Sequence, residues 1–227
     1  MAQSVLIIAD SGSGKSTSIR NLNPAETFII NPANKALPFK GWKKNYTKIG
    51  KDNPKGNMSN VSSAEGIMKC MKHINDNMLH IKNIVLDDWQ YVSAFEYFAR
   101  SKERGYDKFT DIATNIANIA KYPKDLRDDL HVYYLTHAEE VDVNGVKKLK
   151  AKTVGKMIDN SLTLEGLFTI VLFAKIVIDE NDNLNYVFQT QNSGHDTCKS
   201  PMDMFESLHI PNDLQLVRET IIAYENE

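Results

Sequence analysis

The sequence predicts an α/β protein with a mostly parallel central sheet. Three short apolar runs each end in polar residues: residues 5–8 precede a glycine-rich segment, residues 84–86 precede two aspartates, and residues 131–136 precede a histidine. Segments with helical periodicity separate these runs. Because strands that alternate with helices form parallel sheets, the polar residues after the strands are expected to meet at one edge of the sheet.

The segment 9–17 has the layout of a phosphate-binding loop, or P-loop. It reads Ala-Asp-Ser-Gly-Ser-Gly-Lys-Ser-Thr, and it lies between the strand at 4–9 and a helix predicted over about residues 15–22. The glycines let backbone N–H groups turn toward an anion, the lysine contacts the β- and γ-phosphates, and the serine hydroxyl completes a Mg²⁺ shell. Ala9 replaces the first glycine of the usual pattern and is small enough to close the same turn. The predicted ligands are ATP and Mg²⁺, and the predicted binding residues are Gly12, Ser13, Gly14, Lys15, Ser16 and Thr17.

Asp87 and Asp88 directly follow the apolar run at 84–86. At the carboxyl end of a parallel strand beside the P-loop, Asp87 is expected to hold Mg²⁺ together with Ser16. Asp88 is the candidate catalytic residue that orients or deprotonates the attacking water. The alternative interpretation is that the two aspartates only cap the helix predicted from about residue 89.

The order of the strands along the chain predicts a subclass of P-loop proteins. One strand (27–30) lies between the P-loop strand and the Asp87 strand, and another (131–136) follows. This order is typical of the additional-strand NTPases, in which the strand after the metal-binding aspartate ends in a polar sensor of the γ-phosphate. His137 is the predicted sensor.

The remainder of the chain is predicted to elaborate a single domain. The core covers about residues 1–140, a lysine-rich hairpin about 138–157, and C-terminal strands and helices about 165–227. Asn-Gly at 144–145 predicts the hairpin turn. Strands near 167–178 and 184–191 form an antiparallel extension, and the prolines at 201 and 211 each mark the start of a helix.

Composition limits the function classes. The length of 227 residues fits one α/β domain. No apolar run approaches the roughly 20 residues that a membrane helix needs, and no signal peptide is expected. Two cysteines indicate a reducing cytosol rather than a disulfide framework. The net charge of −2 argues against coating nucleic acid by bulk charge.

Lysines are nevertheless concentrated in two segments. Residues 147–156 contain five lysines and no acid, and residues 35–55 contain seven lysines and one acid. The first of these is the main candidate contact for single-stranded DNA, and the second, where Phe39, Trp42 and Tyr46 could stack bases, is the competing candidate. The alternative interpretation is that both segments are solvent-exposed runs of charge with no binding role. The candidate DNA-binding residues are Lys147, Lys148, Lys150, Lys152, Lys43 and Lys44.

Four segments together resemble phage-encoded RecA-like ATPases: residues 9–17, 84–90, 135–137 and 188–201. These are the RecA-core branch of the Sak single-strand-annealing proteins, a group of AAA-family ATP-binding proteins. The resemblance implies ATP-dependent action on single-stranded DNA in phage recombination, in the cytoplasm of an infected bacterial host. It also implies a homo-oligomeric ring or filament in which a neighbour supplies a trans-acting lysine, with Lys199 and Lys156 as candidates. A single-strand DNA-binding protein is a further candidate partner.

One departure from RecA and three other function classes stay open. RecA carries its catalytic glutamate after the second strand, where residues 31–34 read Asn-Pro-Ala-Asn, so either Asp88 does that work or hydrolysis is slow. The alternatives are another P-loop motor or loader (for packaging or helicase loading), a small-molecule kinase, and a non-hydrolysing nucleotide-binding interaction protein. With five arginines in the chain, the supply of cations for a kinase is weak.

Overall fold

A mostly parallel sheet forms the centre of the protein, whose computed structural model describes residues 1–153 and 163–226. The described strands are β1 (Gln3–Ala9), β2 (Thr27–Ile30), β3 (Met58–Ser59), β4 (Asn83–Leu86), β5 (His131–Val143), β6 (Val146–Ala151), β7 (Ile170–Ile178), β8 (Leu184–Gln189) and β9 (His209–Pro211). The described α-helices are α1 (Trp42–Asn45), α2 (Ala64–Asn77), α3 (Gln90–Ala99), α4 (Asp107–Lys121) and α5 (Leu214–Glu225). The predicted α/β class is confirmed. No helix in the described ranges is both long enough and apolar enough to cross a membrane.

The strand order places three polar strand ends side by side. The order is β3-β2-β4-β5-β1-β7-β8-β9, and β6 pairs with β5. The strands from β3 to β7 in this order pair in parallel, whereas β8 and β9 add on in antiparallel orientation. The strand β5 lies between β4 and β1, so Ala9 is in register with His137. The P-loop, the aspartates after β4 and His137 therefore share one edge of the sheet.

Both faces of the sheet are covered, which explains why the strands read as continuous apolar runs. Leu6 and Ile8 of β1 pack in the cluster formed with α2, α3 and α4. Val5 and Ile7 pack in the opposite cluster, with α5 and the 3₁₀ helix Ser16–Asn21. Alternate residues of one strand thus contact different layers, and the P-loop leaves a strand that is fully buried on both sides.

Three local predictions are wrong. The segment after the P-loop is a 3₁₀ helix, Ser16–Asn21, rather than an α-helix. Ser18 Oγ donates to the carbonyl of Lys15 (2.6 Å), so a side chain competes with backbone N–H groups for this acceptor. Residues 201–208 form turns and not a helix. The N–H of Thr190 donates to the carbonyl of Leu208, and its hydroxyl donates to the carbonyl of Ser207, so these carbonyls are not available for helical hydrogen bonds where the chain enters β9. Residues 31–58, which the prolines and glycines of the sequence predict to be one long loop, contain α1 and end in β3.

The hairpin turn forms as predicted. Asn144 and Gly145 have φ values of 55° and 80°, the pair of positive values that a type I′ turn requires. The strand β5 continues past residue 136 to the turn and pairs with β6, so a single strand carries both His137 and the first arm of the hairpin. The end of the predicted hairpin, with Gly155 and Lys156, lies outside the described residues.

Candidate functional site

A cleft of about 700 Å³ opens where β1, β4 and β5 end. The P-loop forms one wall, and its glycines adopt left-handed conformations, with φ 85° at Gly12 and 86° at Gly14. Ser13 closes the loop by donating its N–H to the carbonyl of Asp10 (3.3 Å). The other predicted binding residues of the loop line the cleft: Gly12, Gly14, Lys15, Ser16 and Thr17.

Lys15, Ser16 and the two aspartates meet at the floor of the cleft. Lys15 Nζ lies 3.3 Å from Asp87 Oδ1 and also contacts Asp88 Oδ1. Ser16 Oγ donates a hydrogen bond to Asp87 Oδ1 (2.8 Å). Both aspartates and Lys15 are buried, so each charge depends on its partners for stability. The structure therefore brings together the residues predicted to bind phosphate and metal, although they are far apart in sequence.

Asp88 is the most constrained residue of the site. Its φ of 56° lies in the left-handed region, which is uncommon for residues other than glycine but more accessible to aspartate than to most. His137 Nε2 lies 3.4 Å from its Oδ1, and Lys35 Nζ lies 2.6 Å from its Oδ2. Burial opposes ionisation, but the contacts with His137, Lys15 and Lys35 hold the pKa of Asp88 well below its usual value. Asp88 is therefore an ionised carboxylate that accepts hydrogen bonds.

The alternative interpretation, that the aspartates serve to cap the following helix, is wrong for this structure. The N-terminus of α3 has Trp89 as its N-cap, and no side chain in the described part of the chain caps it. The carboxylates of Asp87 and Asp88 instead accept hydrogen bonds from Lys15, and that of Asp87 also accepts one from the Ser16 hydroxyl.

The two polar residues at the end of the core section of β5 differ in role. Thr136 is buried and donates its hydroxyl hydrogen to Gln90 Oε1 (3.3 Å), which ties β5 to α3. His137 lines the cleft with a quarter of its side chain exposed. Its Nε2 contacts the carboxylate of Asp88 at the edge of the cleft, and its role as sensor stays a prediction.

Lys35 belongs to the site, although the sequence alone identified it only as one lysine of the segment 35–55. Asn31, which directly follows β2, holds the backbone of Lys35: its Nδ2 donates to the Lys35 carbonyl (2.7 Å), and its Oδ1 accepts from the Lys35 N–H (3.3 Å). The Lys35 ammonium also lies 4.9 Å from the centre of the Tyr91 ring. Since β2 neighbours β4 in the sheet, polar residues after β2 reach the edge that carries Asp88, and this strand order could have identified Lys35.

Tyr186 and Asn212 also line the cleft and were missed. The N–H of Asn212 donates to the carbonyl of Tyr186 (3.2 Å), and Arg20 Nη1 donates to the carbonyl of Asn212 (2.8 Å). The Tyr186 ring packs against the P-loop, where a Cβ added to Gly14 would lie 2.8 Å from Tyr186 Cδ1. No local pattern marks these two residues, because they reach the P-loop only through the antiparallel extension.

The hairpin is less basic than its second arm alone indicates. Across the turn, Lys147 Nζ lies 2.8 Å from Glu140 Oε1, and Lys150 Nζ lies 3.3 Å from Glu139 Oε1. The two arms, residues 138–151, contain three acids and three lysines. Lys152 follows, and its N–H donates to the carbonyl of His137 (2.8 Å). The described arms are therefore not strongly positive, and contact of Lys147, Lys148 and Lys150 with DNA stays a prediction.

In the competing segment, residues 35–55, the lysines are exposed, but the aromatic residues predicted to stack on bases pack against the protein core. Lys43 and Lys44 are exposed on α1. Tyr46 is buried, while Phe39 and Trp42 pack against the same core cluster, so these rings support the fold and are not a free platform for bases.

Of the two trans-acting lysine candidates, the structure describes only Lys199. Lys199 pairs through its backbone with Val171 of β7 (2.8 and 2.9 Å), and it is not among the residues that line the cleft. Lys156 lies outside the described residues.

The oxygen donors of the cleft fit Mg²⁺. Carboxylate and hydroxyl oxygens suit this ion, which uses one or two carboxylates and takes its remaining ligands from water and substrate phosphates. Asp87 and Ser16 supply such donors. Among the described residues no group of three or more His, Cys, Asp or Glu could hold a metal by itself.

No protein-family model matches the chain, and no curated protein matches it in sequence. Among solved structures, the chain is similar to the X-ray structure of the Legionella pneumophila ATPase DotB, with a TM-score of 0.37 and 11% identity over 82% of this chain and 44% of that chain. The chain thus spans less than half the length of that protein. At this level the similarity does not bear on function, which must be inferred from the residues of the cleft.

Proposed function

We propose that the chain binds ATP with Mg²⁺ in this cleft and hydrolyses the γ-phosphate. The observation that supports this most strongly is the meeting of Lys15, Ser16 and Asp87 at the ends of two strands separated by β5. In P-loop enzymes these three residue types contact the β- and γ-phosphates and hold the metal.

The contacts around Asp88 support hydrolysis rather than binding alone. Asp88 is ionised and lies beside Lys15, Lys35 and His137, the groups expected to surround a terminal phosphate. A carboxylate there can accept a hydrogen bond from the attacking water and so orient it. Lys15 and Lys35 neutralise the two aspartates in the structure and can instead contact phosphate oxygens. A Mg²⁺ ion held by Ser16 and Asp87 would neutralise charge that develops on the phosphates.

We further propose that this ATPase belongs to the additional-strand type. The position of β5 between β4 and β1, with His137 at the edge of the cleft, supports this assignment. The RecA-like branch rests on the resemblance of residues 9–17, 84–90, 135–137 and 188–201.

For the biological role we propose ATP-dependent action on single-stranded DNA by a homo-oligomer, as that resemblance implies. The charge distribution favours the segment around Lys43 and Lys44 as the DNA contact, because Lys147 and Lys150 of the hairpin pair with acids across the turn. The continuity of β5 from His137 into the hairpin supports movement of the hairpin when the γ-phosphate leaves.

The substitution Asp88→Asn separates hydrolysis from binding. It keeps the shape of the side chain but removes the carboxylate that orients the attacking water, so the turnover number should fall by about 10²-fold or more while ATP still binds. Asp52→Asn, an exposed acid of the same charge, is the matched control. Hydrolysis by Asp88→Asn at the wild-type rate would contradict the role of Asp88. If the wild-type chain binds ATP but turns over none with or without single-stranded DNA, it is a non-hydrolysing binding protein.

A further inference from the structure

We propose that Asn212 and Tyr186 form a subsite for the base of the nucleotide, and that Asn212 selects adenine. The inference rests on the proposed function and concerns a part of the substrate that the P-loop does not contact. It follows from the polarity of the cleft, from an unpartnered buried amide and from an aromatic ring that packs on the P-loop.

The cleft has two chemically different ends. Asp87 and Asp88 follow β4, and Lys35 follows β2, so the charged groups lie on one side of β1. Tyr186 belongs to β8 and Asn212 follows β9, so both lie on the other side of β1. The P-loop follows β1 and lies between the two ends. A triphosphate whose terminal phosphate lies at Asp88 therefore directs its nucleoside toward Tyr186 and Asn212.

Asn212 carries an unused donor and an unused acceptor at this end. Its relative exposure is 1%, and neither Oδ1 nor Nδ2 has a hydrogen-bond partner among the described residues. Buried amides without partners are unfavourable and uncommon, so one that lines a cleft indicates a ligand that supplies both partners. An asparagine amide can pair with the N6 amino group and N7 of adenine at once. On the same edge guanine and hypoxanthine present two acceptors, which leave the amide oxygen unpaired.

The two residues are held in place from both sides. The hydrogen bonds from the Asn212 N–H to Tyr186 and from Arg20 to the Asn212 carbonyl fix the backbone between β8 and the P-loop helix. Asp213, the next residue, caps α5 by accepting from the N–H of Gln215 (2.9 Å). Such support is what a selective contact needs. Tyr186 packs one part of its ring on Gly14 and leaves 46% of the residue exposed, so an aromatic face is available for a base to stack on.

Calorimetry with three ligands tests the subsite: ATP, inosine triphosphate (ITP) and inorganic triphosphate, each with Mg²⁺ and the full chain. The wild type should bind ATP about tenfold or more tightly than ITP, and Asn212→Leu should remove this preference while leaving the affinity for inorganic triphosphate unchanged. Tyr186→Ala should weaken ATP and ITP alike and spare inorganic triphosphate. Asn185→Leu is the matched control, since Asn185 neighbours Tyr186 but is exposed and bonds to Asp179 (3.3 Å).

A second measurement needs no substitution, and so does not depend on the folding of a variant. Replacing ATP by 7-deaza-ATP removes the N7 acceptor alone and should weaken binding to the wild type severalfold. Equal wild-type affinities for ATP, ITP and 7-deaza-ATP, or an ATP preference that survives in Asn212→Leu, would overturn the subsite and leave the proposed function standing. Failure of all ligands, inorganic triphosphate included, to bind would overturn the proposed function and this inference with it.

Discussion

Lys35 Nζ lies 2.6 Å from Oδ2 of Asp88, while Lys15 contacts Oδ1 of the same carboxylate. Two cations from the loops after β1 and β2 thus meet at the position proposed for the terminal phosphate. The resemblance to RecA implied that a neighbouring subunit supplies the additional cation, through Lys199 or Lys156. Lys35 offers a cation from the same chain, and it does so from a backbone that Asn31 holds in place.

Substitution of Lys35 should impair hydrolysis more than binding. If Lys35 stabilises charge on the terminal phosphate, Lys35→Ala lowers the turnover number by about 10²-fold. The affinity for ADP, which lacks that phosphate, should change little. Steady-state ATPase assays and calorimetry with ADP measure the two effects. Lys40→Ala, which removes an exposed lysine from the same segment, is the control, and a wild-type turnover number in Lys35→Ala would rule out the role.

Alanine at the two P-loop glycines should have unequal effects on stability. Gly12 and Gly14 both have positive φ, so each alanine bears a backbone penalty of roughly 1–2 kcal/mol. Only at Gly14 does the added Cβ also meet a neighbour, Tyr186 Cδ1 at 2.8 Å; no atom lies within 4 Å of a Cβ added at Gly12. Urea denaturation should show a lower free energy of unfolding for Gly14→Ala than for Gly12→Ala, and Tyr186→Ala should narrow the difference. Equal values for the two glycine variants would contradict the packing of Tyr186 on the loop.

Stability should fall with acid because of His131, at the start of β5. Burial, assisted by the positive charge of Arg218, lowers the pKa of His131 to about 4. The unfolded chain takes up this proton near pH 6.5, so the full free energy of unfolding is present above that pH and is lost as the pH falls toward 4. The loss at the lower limit is about 3 kcal/mol. Denaturation at pH 7 and pH 5 should show a smaller difference for His131→Leu than for the wild type or His80→Ala, which replaces an exposed histidine. Equal pH dependence in all three proteins would show that His131 does not carry the effect.

The salt dependence of DNA binding should identify the segment that contacts DNA. Each phosphate contact to a single strand contributes roughly 0.7 to the slope of log affinity against log salt concentration. Replacing Lys40, Lys43 and Lys44 with alanine should flatten the slope by about 2. Replacing Lys147, Lys148 and Lys150 should change it less, because Lys147 and Lys150 already pair with acids across the hairpin. This reverses the order that the sequence alone predicts. Fluorescence anisotropy of a labelled oligonucleotide over a salt series measures the slope, and the opposite ranking would place the DNA on the hairpin.

The phosphate end of the cleft could be predicted because it depends on local patterns. An apolar strand followed by Gly-Ser-Gly-Lys-Ser, and another followed by two aspartates, place their polar residues at one edge wherever the strands are parallel. Lys35, Tyr186 and Asn212 could not be found this way, because their positions depend on which strands are neighbours and on pairings distant in sequence. The antiparallel strand β8 and the three-residue strand β9 bring Tyr186 and Asn212 to Gly14, and neither pairing leaves a motif.

The charge of the hairpin was predictable but was missed. The turn at Asn144 and Gly145 fixes the register, so Asp142 faces Lys147 and Glu139 faces Lys150. Reading both arms in that register would have shown the acids opposite the lysines. The 3₁₀ helix after the P-loop is a different case, because a few residues between a glycine and a proline are too short for periodicity to distinguish helix types.

Calorimetric titration with Mg²⁺ and a non-hydrolysable ATP analogue tests nucleotide binding at the P-loop most directly. The wild type should bind the analogue, and Lys15→Ala should bind it about 10²-fold more weakly or not at all, because a buried cation that contacts phosphate is lost. Asp87→Ala should make the affinity the same with Mg²⁺ and with a chelator. Thermal unfolding of each variant checks that the fold is intact. Unchanged affinity in a folded Lys15→Ala variant would contradict the proposed nucleotide site.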